Sequence, residues 1–227
     1  MERQLFLTAD GSHTMIIPGT EVSYHSKHGA IRESRHVYIE TGLQYFLTRN
    51  NETQVRVFEM GFGTGLNAFL TLQEAIKSSN SIFYQAVELH PLTPEETRLL
   101  NYSNNEAFQA LHTAGWGKAV AIHPLFTLHK LHASLLQANT EDRFHVIYYD
   151  AFAPDVQPEL WEKPVFDQLY RMMEPGGILV TYCVKGDVRR AMLASGFTIE
   201  KVPGPPGKKE ILRALKPERQ AGSYQPR

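Results

Sequence analysis

Three clusters of residues carry side chains and spacings suited to chemistry. Glu59-Met-Gly-Phe-Gly-Thr-Gly65 places three alternating glycines directly behind an apolar run, Val55 to Phe58. Glycine tolerates positive φ and lets a ligand approach the backbone, so Gly61, Gly63 and Gly65 predict a tight strand-to-helix turn against a bound molecule. Glu88 closes the next apolar run, Ile82–Val87, where an acid at a strand end is placed to accept hydrogen bonds from ribose hydroxyls. Asp150-Ala-Phe-Ala-Pro154 follows a third such run, Phe144–Tyr149. A carboxylate there can orient an amine and take its proton.

The glycine spacing is Gly-x-Gly-x-Gly and differs from the Gly-x-Gly-x-x-Gly of dinucleotide-binding turns. A carboxylate at Glu59 would repel a pyrophosphate and suits a cationic sulfonium with an amino group. S-Adenosylmethionine therefore fits better than NAD. Phe152 and Trp161 are candidates for stacking on a ring or for core packing, with nothing in the spacing to separate the two. His129 and His132 read as helical neighbours with no accompanying ligand cluster, so no metal site is expected. Cys183 is the single cysteine, which excludes an internal disulfide and a cysteine-rich zinc site.

These groups need a scaffold that gathers strand ends. The chain of 227 residues, 42% hydrophobic, is sufficient for one domain. Hairpin punctuation opens it, with Leu5–Thr8, Asp10-Gly-Ser12 and Thr14–Ile17. Glu33–Leu47 predicts a helix. Strands are expected at Gln54–Met60, Ile82–Glu88, Ala119–Ile122, Phe144–Asp150 and Ile178–Cys183. Helices are expected at Asn67–Lys77, Pro94–Asn101, Leu128–Ala138, Pro164–Met173 and Asp187–Ala194. Phe197–Val202 and Glu210–Ala214 close the chain as a strand pair, and Pro175–Gly177 reads as a turn. The alternation predicts an α/β fold with a mainly parallel, doubly wound, Rossmann-like sheet and an antiparallel hairpin at one edge. Residues 1–50 read as an N-terminal extension, 51–215 as the catalytic domain and 216–227 as a polar tail.

The net charge is −1, which gives no global signature of nucleic-acid binding. From Lys185 onward, however, ten basic residues face four acidic ones, a local bias compatible with RNA or with an ordinary surface. No apolar stretch is long enough for a membrane span and the first residues do not read as a signal peptide, so a cytoplasmic protein is expected.

Taken together, Phe58–Asn67, Tyr149–Pro154, Pro175-Gly-Gly177 with Val188-Arg-Arg190, Ala194–Phe197 and Gly207–Leu212 resemble the MnmC methyltransferase-domain family. Thr8-x-Asp-Gly-Ser-x-Thr14, Tyr24-His-Ser26 and Gly29–Ser34 are similar to its standalone, MnmD-like members. The resemblance implies a class I methyltransferase fold. It also implies methyl transfer from S-adenosylmethionine to the aminomethyl group of a tRNA wobble uridine, giving 5-methylaminomethyl-2-thiouridine. On the same ground Glu59, Gly61, Gly63, Thr64, Gly65, Asn67, Glu88 and Phe152 would bind the cofactor, and Asp150 would lie between cofactor and amine as the catalytic group. Tyr24, Ser26, Glu33 and Ser34 would close over that pocket. Lys185, Arg189, Arg190, Lys208 and Lys209 are the expected contacts to the tRNA anticodon loop. A separate FAD-dependent oxidase would act upstream, with no FAD bound here. The residues by themselves leave open an N-methyltransferase for a small amine and a non-enzymatic adenosyl- or nucleotide-binding module.

Overall fold

The computed structural model describes residues 2–138 and 140–218; the tail beyond 218, with Arg219 and Arg227, lies outside the described residues. A small hairpin, β1 (Gln4–Leu7) and β2 (His13–Ile16), precedes the main sheet. A continuous helical run follows, comprising α1 (Ala30–Ser34), a π-helical segment (Arg35–Gln44) and α2 (Tyr45–Leu47). The expected helix over Glu33–Leu47 is thus present, entered three residues earlier and wound wider through most of its length.

The main sheet contains β3 (Gln54–Met60), β4 (Ser81–Glu88), β5 (Ala119–His123), β6 (Phe126–His132), β7 (Phe144–Tyr149), β8 (Met173–Thr181), β9 (Thr198–Pro203) and β10 (Glu210–Leu215). Its order is β5-β6-β4-β3-β7-β8-β10-β9. Neighbours from β6 to β8 are parallel, whereas β5 and the β9–β10 pair run antiparallel at opposite edges. From β3 the chain builds outward through β4 and β6 on one side and through β7 and β8 on the other. Such a reversal opens a crevice at the carboxyl ends of the central strands.

The helices α3 (Leu66–Ser78), α4 (Pro94–Arg98), α5 (Glu106–Thr113), α6 (Lys163–Met172) and α7 (Gly186–Ala194) complete the order. Side chains alternate across a strand, and this divides the core. Val57, Tyr84, Tyr148 and Val180 pack with Tyr38 and Phe69 on one face, while Phe58, Ile147, Tyr149 and Leu179 pack with Phe166 and Leu169 on the other. Glu59, two residues after Val57, is carried to the first face and buried there.

Three sequence expectations are corrected. Leu128–Ala138 begins as strand β6, not as a helix, so His129 and His132 belong to that strand. The spacing of Leu128, Leu131 and Leu135 imitates a helix. The real pattern is alternate burial of Phe126, Leu128 and Lys130, with Lys130 occupying an apolar position. Its Nζ is satisfied by the carbonyls of Leu111 (2.8 Å) and His112 (2.9 Å) at the end of α5. Burial pushes the Lys130 pKa down to about 8. Helix α5 is absent from the sequence expectations although Asn105 caps it, accepting from the Phe108 amide at 2.9 Å. Finally, Met173 to Gly177 belongs to β8 with a register shift against β7, and does not form a separate turn.

Candidate active site

The glycine turn leaves β3 and enters α3, with Gly61, Gly63 and Gly65 all at positive φ (87°, 51° and 70°). At Gly63 an added Cβ would stand 3.3 Å from the Tyr24 ring, and at Gly65 it would stand 3.1 Å from His112. Glu88 fastens the turn to the end of β4. One of its oxygens accepts from the Gly63 amide (2.9 Å) and the other from the His90 amide (2.7 Å).

Above the turn lies a cavity at the carboxyl ends of the central strands. Gly61, Gly63, Thr64, Asn67, Glu88, Asp150 and Phe152 line it, as do Tyr24 and His25 from the N-terminal segment. Leu89, His90 and Gln157 were not singled out from sequence and also line it, as does Met60 of the glycine motif. Their neighbours at strand ends were the available signal. Gly65 sits behind the lining, where it starts α3.

Glu59 is not part of that lining. It is buried beneath the turn, where one oxygen accepts from Asn67 Nδ2 (2.9 Å) and the other lacks a hydrogen-bond partner. Burial pushes its pKa well above the carboxylate range, only partly offset by the Asn67 amide. Asn67 Nδ2 also donates to Asp150 Oδ2 at 3.0 Å. One amide therefore ties the two acids together, and Asn67 Oδ1 is left buried without a partner.

A second cavity adjoins the first. Tyr24, His25, Asp150, Ala151 and Phe152 belong to both walls. Tyr24 and Phe152 meet edge to face at 5.2 Å, and the Tyr24 hydroxyl accepts from Arg3 Nε at 2.8 Å. Asp150 is half-buried, and desolvation raises its pKa to about 7. The Tyr38 hydroxyl, Asn67 and Lys208 pull it down, and Glu33 pushes it up. Burial likewise holds the His25 imidazole low, at about 4.

Ser26 and Glu33 line the second cavity and not the first. Ser34, expected beside them, is fully buried on the helix and lines neither. The Thr8–Ser12 turn fixes Glu33 in place by capping α1 from outside. Thr8 Oγ1, Ser12 Oγ and Asp10 Oδ2 accept from the amides of Ala30, Ile31 and Arg32 (3.3, 3.2 and 3.0 Å).

The proposed RNA contacts are dispersed. Lys208 reaches inward to Glu33 (2.6 Å) and over the Tyr182 ring. Lys185 pairs with Asp155, and Arg190 pairs with Asp187. Lys209 is exposed and Arg189 half-buried. Trp161 is a core residue, its indole donating to the Phe152 carbonyl at 2.8 Å while packing on Tyr149 and Tyr182. Among the described residues no three His, Cys, Asp or Glu side chains are grouped to hold a metal ion. No described helix is long and apolar enough to cross a membrane.

Residues 122–217 match the model of a family described as S-adenosyl-L-methionine-dependent methyltransferase. The chain is 33% identical over 211 residues to the tRNA 5-methylaminomethyl-2-thiouridine biosynthesis bifunctional protein MnmC of Magnetococcus marinus, covering 86% of this chain and 31% of that protein. The corresponding protein of Aromatoleum aromaticum is 31% identical over 211 residues, covering 84% and 32%. The chain therefore spans about a third of the length of these curated relatives. Among solved structures, MNMC2 from Aquifex aeolicus has a TM-score of 0.79 at 22% identity, covering 94% of this chain and 70% of its own. Spermidine synthase from Thermotoga maritima has a TM-score of 0.60 at 13% identity, covering 94% and 68%. These two likenesses establish the fold.

Proposed function

The chain belongs to the S-adenosylmethionine-dependent methyltransferase family and has its class I fold, and from that premise we propose that it methylates the aminomethyl group of a tRNA wobble uridine. The product would be 5-methylaminomethyl-2-thiouridine. The observation that carries this reading is Asp150, a single carboxylate lining both the cavity over the glycine turn and the cavity beside it. The names of the curated relatives supply the tRNA.

The residues fit the cofactor. Asn67 Oδ1 is a buried, unpartnered acceptor on the lining residue next to Asp150, and such an atom calls for a donor. The cofactor's α-ammonium is a donor of that kind. Gly61, Gly63 and Thr64 bring backbone to the ligand, and Glu88 receives the ribose while anchoring the turn. Glu59 acts through Asn67, as a positioning residue. When bound, S-adenosylmethionine supplies an electrophilic methyl on a sulfonium.

The protein's own work is alignment and proton handling. Asp150 orients the incoming amine along the displacement line and accepts its proton. A carboxylate titrating near 7 is matched to that exchange at neutral pH. Asn67 holds the carboxylate in place, while Tyr24 and Phe152 wall the junction from water. An unpaired anticodon-loop base enters more readily than one in a duplex. Paired surface cations such as Lys185 and Arg190 can still exchange toward phosphates, because exposed ion pairs are weak. On this reading the aminomethyl group is released beforehand by a separate FAD-dependent oxidase, and the work is cytoplasmic.

The test is transfer of tritium from labelled S-adenosylmethionine to tRNA carrying 5-aminomethyl-2-thiouridine. Label in the tRNA is expected. An unlabelled tRNA, with the protein folded and binding S-adenosylhomocysteine, would overturn the assignment.

A further inference from the structure

The second cavity has a charge pattern that the methyl-transfer reading does not use. On its wall Glu33 and Asp150 face one ammonium, Lys208, while Glu21 and Asp155 are paired with Lys27 and Lys185. A ligand with a cationic group is favoured there, and an anion is not. Lys208 and Glu33 stand at 2.6 Å, so a strong donor lies beside a strong acceptor within reach of Asp150. The Tyr182 ring lies under the Lys208 ammonium at 4.0 Å.

We propose that this cavity is a nucleobase site reading an amine and a ring carbonyl held side by side. Glu33 and Asp150 receive the ammonium of a 5-aminomethyl-pyrimidine, and Lys208 donates to the neighbouring carbonyl oxygen. The proposal rests on the tRNA-methylation reading and makes Lys208 a specificity residue within the cavity, not part of the basic surface expected from sequence.

Both groups are held for this task by distant parts of the fold. Glu33 Oε2 accepts from the Ser26 amide at 2.6 Å, leaving Oε1 for Lys208. The loop bearing Lys208 leans on the same region. His36 Nε2 meets the Pro203 carbonyl at 2.8 Å, and Gly207, at φ +90°, packs so closely on His28 that an added Cβ would stand 2.3 Å away. An ammonium has three donors, so Lys208 can keep Glu33 while bonding a carbonyl. The aromatic and open parts of the cavity leave room for a ring. A small aliphatic amine would satisfy the two carboxylates and leave the Lys208 donor unused.

Several charged or titratable groups surround Asp150: Glu33 from α1, Tyr38 from the π-helical segment, Glu59 from β3, Lys208 from the β9–β10 loop and Tyr182 beyond β8. Lys208 lowers the Asp150 pKa and Glu33 raises it. Removing each should therefore move the acid limb of kcat/KM in opposite directions, which a merely structural role would not do.

The experiment compares wild type, Lys208→Met, Lys208→Arg and Glu33→Gln on aminomethyl-thiouridine tRNA, with S-adenosylhomocysteine affinity measured by calorimetry. Loss of one charged hydrogen bond predicts a KM raised ~10–100-fold in Lys208→Met. Partial recovery is expected in Lys208→Arg, with S-adenosylhomocysteine affinity unchanged. The acid limb should rise in pH for Lys208→Met and fall for Glu33→Gln. Wild-type KM and acid limb in Lys208→Met, or S-adenosylhomocysteine affinity falling in step with KM, would overturn the proposal. If wild type labels no tRNA at all, the methylation reading fails first. Binding of 5-aminomethyluridine against 5-methyluridine to the S-adenosylhomocysteine complex then decides the cavity's role. A preference for the amine that disappears in Lys208→Met upholds the site, and equal binding sinks it.

Discussion

The two cavities share a wall and are built in different ways. The first is made mostly from strand ends and the turns directly behind them, namely 60–64, 66–67, 88–90 and 150–152 with Gln157, closed by Tyr24 and His25. The second gathers residues 21–26, Glu33, 150–156, Tyr182 and Lys208 from across the chain. One is a property of neighbouring parallel strands, whose register fixes where each turn emerges. The other exists only once the N-terminal segment and the β9–β10 loop have docked on the sheet. Asp150 belongs to both, so perturbations can be chosen that strike one cavity, the other or the junction.

The largest effect is expected at the junction. Asp150→Asn keeps the shape and removes the base, so kcat should fall ~10²–10⁴-fold while S-adenosylhomocysteine affinity changes little. Steady-state kinetics with calorimetry checks this, and equal loss in both would mean that Asp150 belongs to the first cavity alone.

The same substitution should stabilise the cofactor-free protein at neutral pH. The folded Asp150 binds its proton up to about 7 against an ordinary value of 3.8. Between these values the native state holds more protons than the unfolded chain, so wild-type stability falls as pH rises and levels off above about 7. The advantage of Asn should grow from pH 4 to pH 7, reaching at most ~4 kcal/mol. Urea melts across that range measure it, and an advantage constant with pH would place the effect elsewhere.

Gly63→Ala strikes the first cavity. Left-handed backbone costs a non-glycine residue ~1–2 kcal/mol, and the new methyl would press on Tyr24. Roughly tenfold weaker S-adenosylhomocysteine binding is expected, with kcat at saturating cofactor largely kept. A drop in kcat alone would show that the turn reports to the second cavity.

The mildest change is Arg3→Ala, at the docked N-terminus. Arg3 ties the Tyr24 hydroxyl to Glu96 and to the His90 carbonyl. Its loss should cost ~1–2 kcal/mol in chemical denaturation and raise KM for tRNA more than for cofactor. The reverse order would assign the N-terminal segment to the cofactor.

The sequence was most legible where function is local. Gly61, Gly63, Glu88 and Asp150 could be placed because each lies at or just beyond the end of an apolar run in a parallel sheet, whereas Asn67, inside α3, came only from the family resemblance. It was least legible where one residue broke a pattern. Lys130 hid β6 because its buried ammonium is satisfied by hydrogen bonds to carbonyls about twenty residues away. Glu59 was expected at the ligand, yet strand alternation turns it behind the turn, where Asn67 receives it. Lys208 was expected on an RNA-facing surface, yet a docked loop turns it inward to Glu33.

The sequence by itself determined the glycine turn, the acids at the strand ends and the alternation that forms the sheet, because those depend on backbone freedom and short-period burial. Only the tertiary structure decided that Asp150 lines two cavities, that Asn67 couples it to Glu59, and that Glu33 and Lys208 meet. Those relations join segments as much as 175 residues apart, and chain docking, rather than residue spacing, sets the distances between them.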